Sequence, residues 1–299
     1  MDGSRLLGRV GVIEAKFCAG VDAGGSGTRA VVRAQDGATF EGRAGPANPG
    51  RVGYAGCLAA IAVAVSDALA HNSGAQPLGQ VSVHAGIAGL GRAHDLEALR
   101  REPHPFGAFS FESDASLTLR AAFPDGPGCV LMVGTGCVSF RRDATGSVHR
   151  AGGWGFPVEL GGGAWLGLEV LRHALSAFEA GSPGSLSDLI AARIGPLENA
   201  PAWVREAGPS DFAALAPLGL LAAKGGDAQA AAVLREWGAN LADLLARVHA
   251  PSFVGPWAAW GGLSEAALTV LPTALLANRR DMARSPLETA VDTARRAGR

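Results

Sequence analysis

Residues 17–32 read Phe-Cys-Ala-Gly-Val-Asp-Ala-Gly-Gly-Ser-Gly-Thr-Arg-Ala-Val-Val. A short apolar run ends on Asp22, a stretch of very small residues follows, and a second apolar run begins after Thr28. Asp36-Gly37 then supplies a further turn signal. This is the pattern of a β-meander whose first turn is rich in glycine. Without Cβ atoms, Gly24, Gly25 and Gly27, with Ser26 between them, let several backbone N–H groups converge in one concave place. Such a surface suits phosphate oxygens. Asp22, at the strand end, is placed to hold Mg2+ directly or through water, and Thr28 to donate its hydroxyl.

The same parts return about 110 residues later. Residues 129–133 read as a strand, Gly134-Thr135-Gly136 as a turn and 137–140 as a strand, with another turn at 143–146. Two such turns facing each other would clamp a polyphosphate. Between and beyond them the pattern predicts a helix over 53–70, a strand over 81–83 running into a glycine-spaced loop at 86–91, and a strand over 109–111 ending at Glu112-Ser113-Asp114. A helix over 117–123 follows. Residues 152–167 read as a glycine-rich loop before a helix from about 168 to 178, and 185–250 as Ala-rich helices. A strand over 257–260 leads into Gly261-Gly262-Leu263-Ser264, and Ser285-Pro286 opens a last helix. Strands interleaved with helices argue an α/β chain.

Composition narrows the chemistry. A chain of 299 residues, 48% hydrophobic and 18% charged, can bury a large core and is not disordered. Its net charge of −1 leaves no electrostatic footprint for nucleic acid. Lys16 and Lys224 are its only lysines, and neither stands in a G-K-[ST] or V-A-I-K context. That argues against a P-loop or a protein-kinase strand, so phosphate chemistry must use backbone amides, arginine and metal. Cys18, Cys57, Cys129 and Cys137 show no C-x-x-C spacing and read as reduced thiols of a cytoplasmic protein. No uninterrupted apolar run is long enough to span a bilayer, since 58–70 is broken by Ser66 and Asp67. No membrane partner is therefore expected. Residues 1–16 show no leader pattern and read as an extension before the fold.

The ordered motifs resemble the sugar kinase/actin/heat-shock ATPase superfamily, and within it the BadF/BadG/BcrA/BcrD-type ATPases and N-acetylglucosamine kinases. Asp-Ala-Gly-Gly-Ser-Gly-Thr-Arg-Ala (22–30) is similar to the first phosphate motif and Val-Gly-Thr-Gly-Cys-Val-Ser (133–139) to the second. Gly-Gly-Trp-Gly (152–155) with Gly-Ala-Trp-Leu-Gly (163–167) resembles the stretch that follows, and Ala-Trp-Gly-Gly-Leu-Ser (259–264) the adenosine motif. The resemblance implies two ribonuclease-H-like lobes, 1–116 plus 285–299 and 117–284, with a cleft between them for ATP and a sugar. It implies Asp114 as general base, a helix N-cap being the alternative for that residue. It further implies Asn48, Gly86, Gly89, Gly153, Trp154 and Glu159 as sugar contacts, and Gly261 and Gly262 against the adenosine. The expected activity is ATP- and Mg2+-dependent phosphorylation of N-acetylglucosamine or glucosamine, by a homodimer formed on the 185–250 helices.

One stretch departs from the family. Where G-D-E-G-S-G is usual, this chain reads Val-Glu-Leu-Gly-Gly-Gly (158–163). Glu159 falls on the aspartate, Leu160 replaces the second acid and Gly162 replaces serine. Thr289 also stands where glycine is usual in the closing motif. Two alternatives follow: an ATPase activator whose Cys129 and Cys137 would hold an iron–sulfur cluster, or a sugar- and nucleotide-binding sensor without catalysis.

Overall fold

The computed structural model describes residues 15–71, 76–90, 93–249 and 255–298. The chain divides into two compact units, one running to Ala121 and resuming at Arg284, the other spanning Ala122–Ala283.

The first unit opens with the meander β1 (Phe17–Ala23), β2 (Thr28–Ala34) and β3 (Thr39–Ala44). Gly37, at φ +92°, and the Asp36 carboxylate accepting from Ala38 N–H make the tight second turn. Then come α1 (Pro49–Ala70), β4 (Val81–Ile87), α2 (Ala93–Arg101), β5 (Ala108–Ser113) and α3 (Asp114–Ala122). Sheet order is β3-β2-β1-β4-β5, with β1, β4 and β5 parallel. α1 covers one face, burying Leu58, Ile61, Val65 and Leu69. α1 meets the length and hydropathy test for a membrane span, but Gly53, at φ +75°, interrupts it near its start. It lies so close to β3 that a Cβ on Gly42 would stand 2.2 Å from the Ala64 carbonyl oxygen. The C-terminal helix, Pro286–Ala297, returns to the other face. A Cβ on Gly20 would stand 2.4 Å from Leu287 O, and Ser82 Oγ donates to Ala294 O at 2.8 Å. Ser285 starts this helix with a capping box to Glu288.

The second unit carries β6 (Gly128–Val133), β7 (Cys137–Arg142), β8 (Val148–Gly152) and β9 (Trp257–Trp260) in the order β8-β7-β6-β9, β9 being parallel to β6. The helices are α4 (Gly163–Glu179), α5 (Ser185–Ile194), α6 (Ala200–Glu206), α7 (Pro209–Ala213), α8 (Ala216–Lys224), α9 (Ala228–His249), α10 (Ser264–Val270) and α11 (Thr273–Leu276). Trp165, Leu166, Trp237, Leu241 and Trp257 centre the core. α4 begins at Gly163, inside the stretch whose glycines read as loop. These glycines serve close packing instead: a Cβ on Gly167 would fall 1.8 Å from Phe212 O, where α4 meets α7.

Candidate active site

In the first unit the parallel register brings Ala23, Ile87 and Ser113 level, so β1, β4 and β5 end at one edge of the sheet. Carboxyl edges of parallel strands are where such sheets hold ligands. The glycine turn after β1 is pinned by Gly24 N–H to Gly27 O at 2.9 Å and Ala47 N–H to Gly24 O at 3.0 Å. No atom lies within 4 Å of where a Cβ of Gly25 would be, so that backbone is open to approach. Ser26 is exposed at the tip. Asp22 is half-buried and ion-paired to Arg29 across the hairpin at 2.8 Å. Thr28 departs from expectation. It is buried, and its hydroxyl donates to Gly45 O at 2.8 Å, so its proton tethers the turn rather than facing outward.

Asn48 and Gly89 meet at this edge. Asn48 caps α1, its Oδ1 accepting from Gly50 N–H at 2.9 Å, and a Cβ on Gly89 would stand 2.7 Å from that same oxygen. Gly89, at φ +87°, is exposed. Gly86 needs a correction: it is no loop residue but a buried position of β4, paired with Asp22 on one side and Glu112 on the other. Its missing Cβ makes room for Leu117, which would lie 2.4 Å away.

Asp114 is half-buried at the first position of α3. The cap belongs to the residue before it, since Ser113 Oγ accepts from Ser116 N–H at 3.1 Å. The Asp114 carboxylate accepts from Ala115 N–H at 2.8 Å. Burial, with the charge of Asp22 adding to it, pushes its pKa up to about 6. A group poised near neutrality suits proton transfer. Beneath it lies a cluster that composition does not reveal. Buried His84 contacts Ser110 Oγ at 2.8 Å and Glu112 Oε1 at 2.9 Å, and Arg120 bonds Glu112 and Thr293. Burial pushes the Glu112 carboxyl up, but His84 and Arg120 outweigh it and hold the group below its ordinary value. The alternation of His84 on β4 with Ser110 and Glu112 on β5 was the available signal, readable only with the register known.

In the second unit three segments are knitted backbone to backbone. Gly163 N–H bonds Gly134 O at 2.8 Å, Ala164 N–H bonds Thr135 O at 2.9 Å, and Leu263 N–H bonds Val133 O at 3.0 Å. The glycine turn at 134–136, the start of α4 and the Gly261-Gly262 loop thus form one framework. Gly261, at φ +116°, sits so near β6 that a Cβ would be 2.4 Å from Val133 O. Gly134 and Gly262 have no atom within 4 Å of a Cβ position and leave their backbones accessible. Thr135 is half-buried and Gly136 exposed.

The loop before α4 carries Gly153, at φ +74°, and Trp154, whose ring is 75% exposed and stacks under the Arg150 guanidinium at 5.5 Å. Glu159, expected to contact the sugar, is engaged by the chain's own backbone. It is buried, accepting from Cys137 N–H through Oε1 and from Gly155 N–H through Oε2. Both oxygens are held by the chain's own backbone. Gly162 also has a local reason: a Cβ there would lie 2.7 Å from the Gly136 backbone.

Paired α/β units, each starting in a hairpin with a glycine turn, define an ATPase fold of the sugar-kinase type. A ROK-family glucokinase of Streptomyces griseus, crystallised with glucose and AMPPNP, shares this fold at a TM-score of 0.54 and 19% identity, over 94% of this chain and 99% of its own. The chain belongs to the BadF/BadG/BcrA/BcrD ATPase family, whose model matches residues 19–278. It is 27% identical over 239 residues to a glucosamine kinase of Vibrio cholerae, covering 78% of this chain and 80% of that one. It is similar too to a solved structure from Chromobacterium violaceum, provisionally named an N-acetylglucosamine kinase. That match has a TM-score of 0.82 and 28% identity, over 94% of this chain and 99% of the other.

Proposed function

We propose that the protein phosphorylates a hydroxyl of an amino sugar, N-acetylglucosamine or glucosamine, with ATP. The observation that carries this reading is Asp114, a carboxylate with a pKa near 6 at the carboxyl edge that also presents the first glycine turn. The similarity to a glucosamine kinase and an N-acetylglucosamine kinase supports the substrate class.

The residues fit the reactants. Open backbone at Gly25 and Gly262 offers N–H groups without side chains in the way, while the Gly134 N–H is held within its own turn by Gly136 O at 2.9 Å. Gly24, Ser26 and Gly27 belong to the first phosphate turn, Thr135 and Gly136 to the second, and Gly261 shapes the adenosine loop. Mg2+ keeps several waters and takes oxygens from phosphate, so a single protein acid can hold it. Asp22 is the acid that would hold it, in exchange for or alongside Arg29. Bound there, Mg2+ supplies neutralisation of the charge on the transferring phosphoryl group.

The chain's own task is to orient the sugar and take a proton. In the first unit Asn48 and Gly89 would position the sugar ring; Gly153 and Trp154 are the second unit's own candidate sugar contacts. The Asp114 carboxylate would accept the proton of the attacking hydroxyl. We read the enzyme as cytoplasmic and as a homodimer, for which the exposed Val204 on α6 and Leu221 on α8 offer apolar positions to a second copy. The activator reading loses support: Cys129 and Cys137 are buried in the core of the second unit, not at a surface where a cluster could be held.

A coupled ADP-release assay tests the proposal with Mg2+, ATP and a panel of glucosamine, N-acetylglucosamine, N-acetylmannosamine, glucose and no sugar. Release stimulated by an amino sugar is the expected result. Release independent of sugar points to the activator-type ATPase. No release, with thermal stabilisation by ADP, points to the sensor.

A further inference from the structure

We propose that Glu159 is a positioning residue of the nucleotide-phosphate turn rather than a sugar ligand, and that this leaves the loop accepting a sugar whose nitrogen is uncharged and acylated. The inference rests on the kinase reading and deepens it.

The geometry of Glu159 is the first half. One carboxylate oxygen takes the N–H of Cys137, the residue immediately after the 134–136 turn, and the other takes the N–H of Gly155 at 3.0 Å. Its own N–H returns to Gly155 O at 3.0 Å. Oε1 would be 2.7 Å from a Cβ at Gly136, so the carboxylate rests on the turn itself. The side chain therefore ties the phosphate turn to the Trp154 loop. Hydrogen bonds to a buried charge are among the stronger ones, and a partner lost there leaves an N–H unsatisfied.

The second half is what remains on the outside. Glu159 is the only acid between Arg150 and Leu168. With it turned inward, the loop displays Trp154, Val158 and Leu160, exposed at 75%, 72% and 49%, and the Arg150 guanidinium over Trp154. An ammonium group brought to the loop meets no carboxylate of the loop itself, meets apolar atoms that strip its water, and meets the Arg150 cation. An acylamino group keeps an amide N–H and C=O for hydrogen bonding and offers a methyl or longer chain to Trp154 and Leu160.

The test has three arms on the full chain with MgATP. Wild-type kcat/KM is compared for N-acetylglucosamine, N-propionylglucosamine and glucosamine below neutral pH, where the free amine is charged. We expect both acylated sugars to be favoured by about tenfold or more. Glu159→Gln, checked by circular dichroism and a urea melt, is expected to raise KM for ATP about tenfold while moving KM for the sugar less than about twofold. Leu160→Glu, at an exposed position that does not bear on folding, is expected to shift the sugar preference toward glucosamine. Glucosamine used as well as or better than the acylated sugars overturns the inference. So does a Glu159→Gln effect confined to the sugar KM, or a Leu160→Glu variant with unchanged preference. Absence of phosphorylation of every sugar is a different failure, that of the kinase reading itself.

Discussion

Asp114 carries two obligations that pull in opposite directions. As a base it must be ionised, yet burial and Asp22 raise its pKa to about 6, so ionisation costs the folded chain free energy. Asp114→Asn should lower kcat by a factor on the order of 10²–10⁴, the usual worth of a positioned base, with ADP affinity by calorimetry nearly intact. A variant retaining more than about a tenth of kcat would remove Asp114 from that role. The wild-type pH profile should fall on the acid side with a midpoint near 6, and that limb should be absent from any residual activity of the variant. The stability sign is the reverse of the activity sign. A carboxyl whose folded pKa lies above its unfolded value of 3.8 contributes stability below that value, and loses it as pH rises through about 6. The neutral amide avoids this loss while its oxygen still accepts from Ala115 N–H. Asp114→Asn should therefore be more stable than wild type at neutral pH, by about 1–3 kcal/mol, and indistinguishable from it below about pH 4. Urea melts at the two pH values decide it.

At the scale of the element, what was legible was what is encoded locally. The two hairpins and their glycine turns show in short apolar runs and in glycine itself, and β1, β2, β6 and β7 follow them. The start of α4 did not show, because glycines at 161–163 are the composition of a loop. Here they answer to distant partners: Gly162 and Gly163 would each press a Cβ into the 134–136 turn, at 2.7 and 2.9 Å. The same reason hid the orientation of Thr28 and Glu159. Which way a polar side chain points depends on a carbonyl 17 residues away in one case and an N–H 22 residues away in the other. This gives a sharp test of the framework around the second turn. Gly162→Ser restores the residue usual in the family at that place, yet its Cβ meets Gly136 backbone, which cannot swing aside as a side chain can. We expect it to destabilise the protein by about 1–3 kcal/mol, as overpacking does, and to raise KM for ATP more than KM for the sugar. A urea midpoint unmoved from wild type would show that the turn yields at no cost.

At the scale of the whole molecule, chain order and spatial order part company. Ser285-Pro286 announced a last helix through its cap, but no local signal says which sheet that helix serves. The answer lies in close approaches made across the full length of the sequence. Gly20 leaves room for the Leu287 carbonyl, Ser82 donates to Ala294 O, and Arg33 reaches Asp292 at 3.5 Å. Pro286, Ala290, Val291 and Ala294 are buried there. Removing residues 285–299 should thus uncover the face of the β1–β4 sheet and leave the Ser82 hydroxyl and the strand backbones to water. The second unit keeps its own core around Trp237 and Trp257. Amide hydrogen exchange on the truncated chain should show β1 and β4 losing protection while β6 and β9 retain theirs. Equal loss in both sheets would mean that the units unfold as one cooperative body. Protection kept in β1 and β4 would mean that α1 alone sustains the first sheet, and that the close fit at Gly20 contributes little.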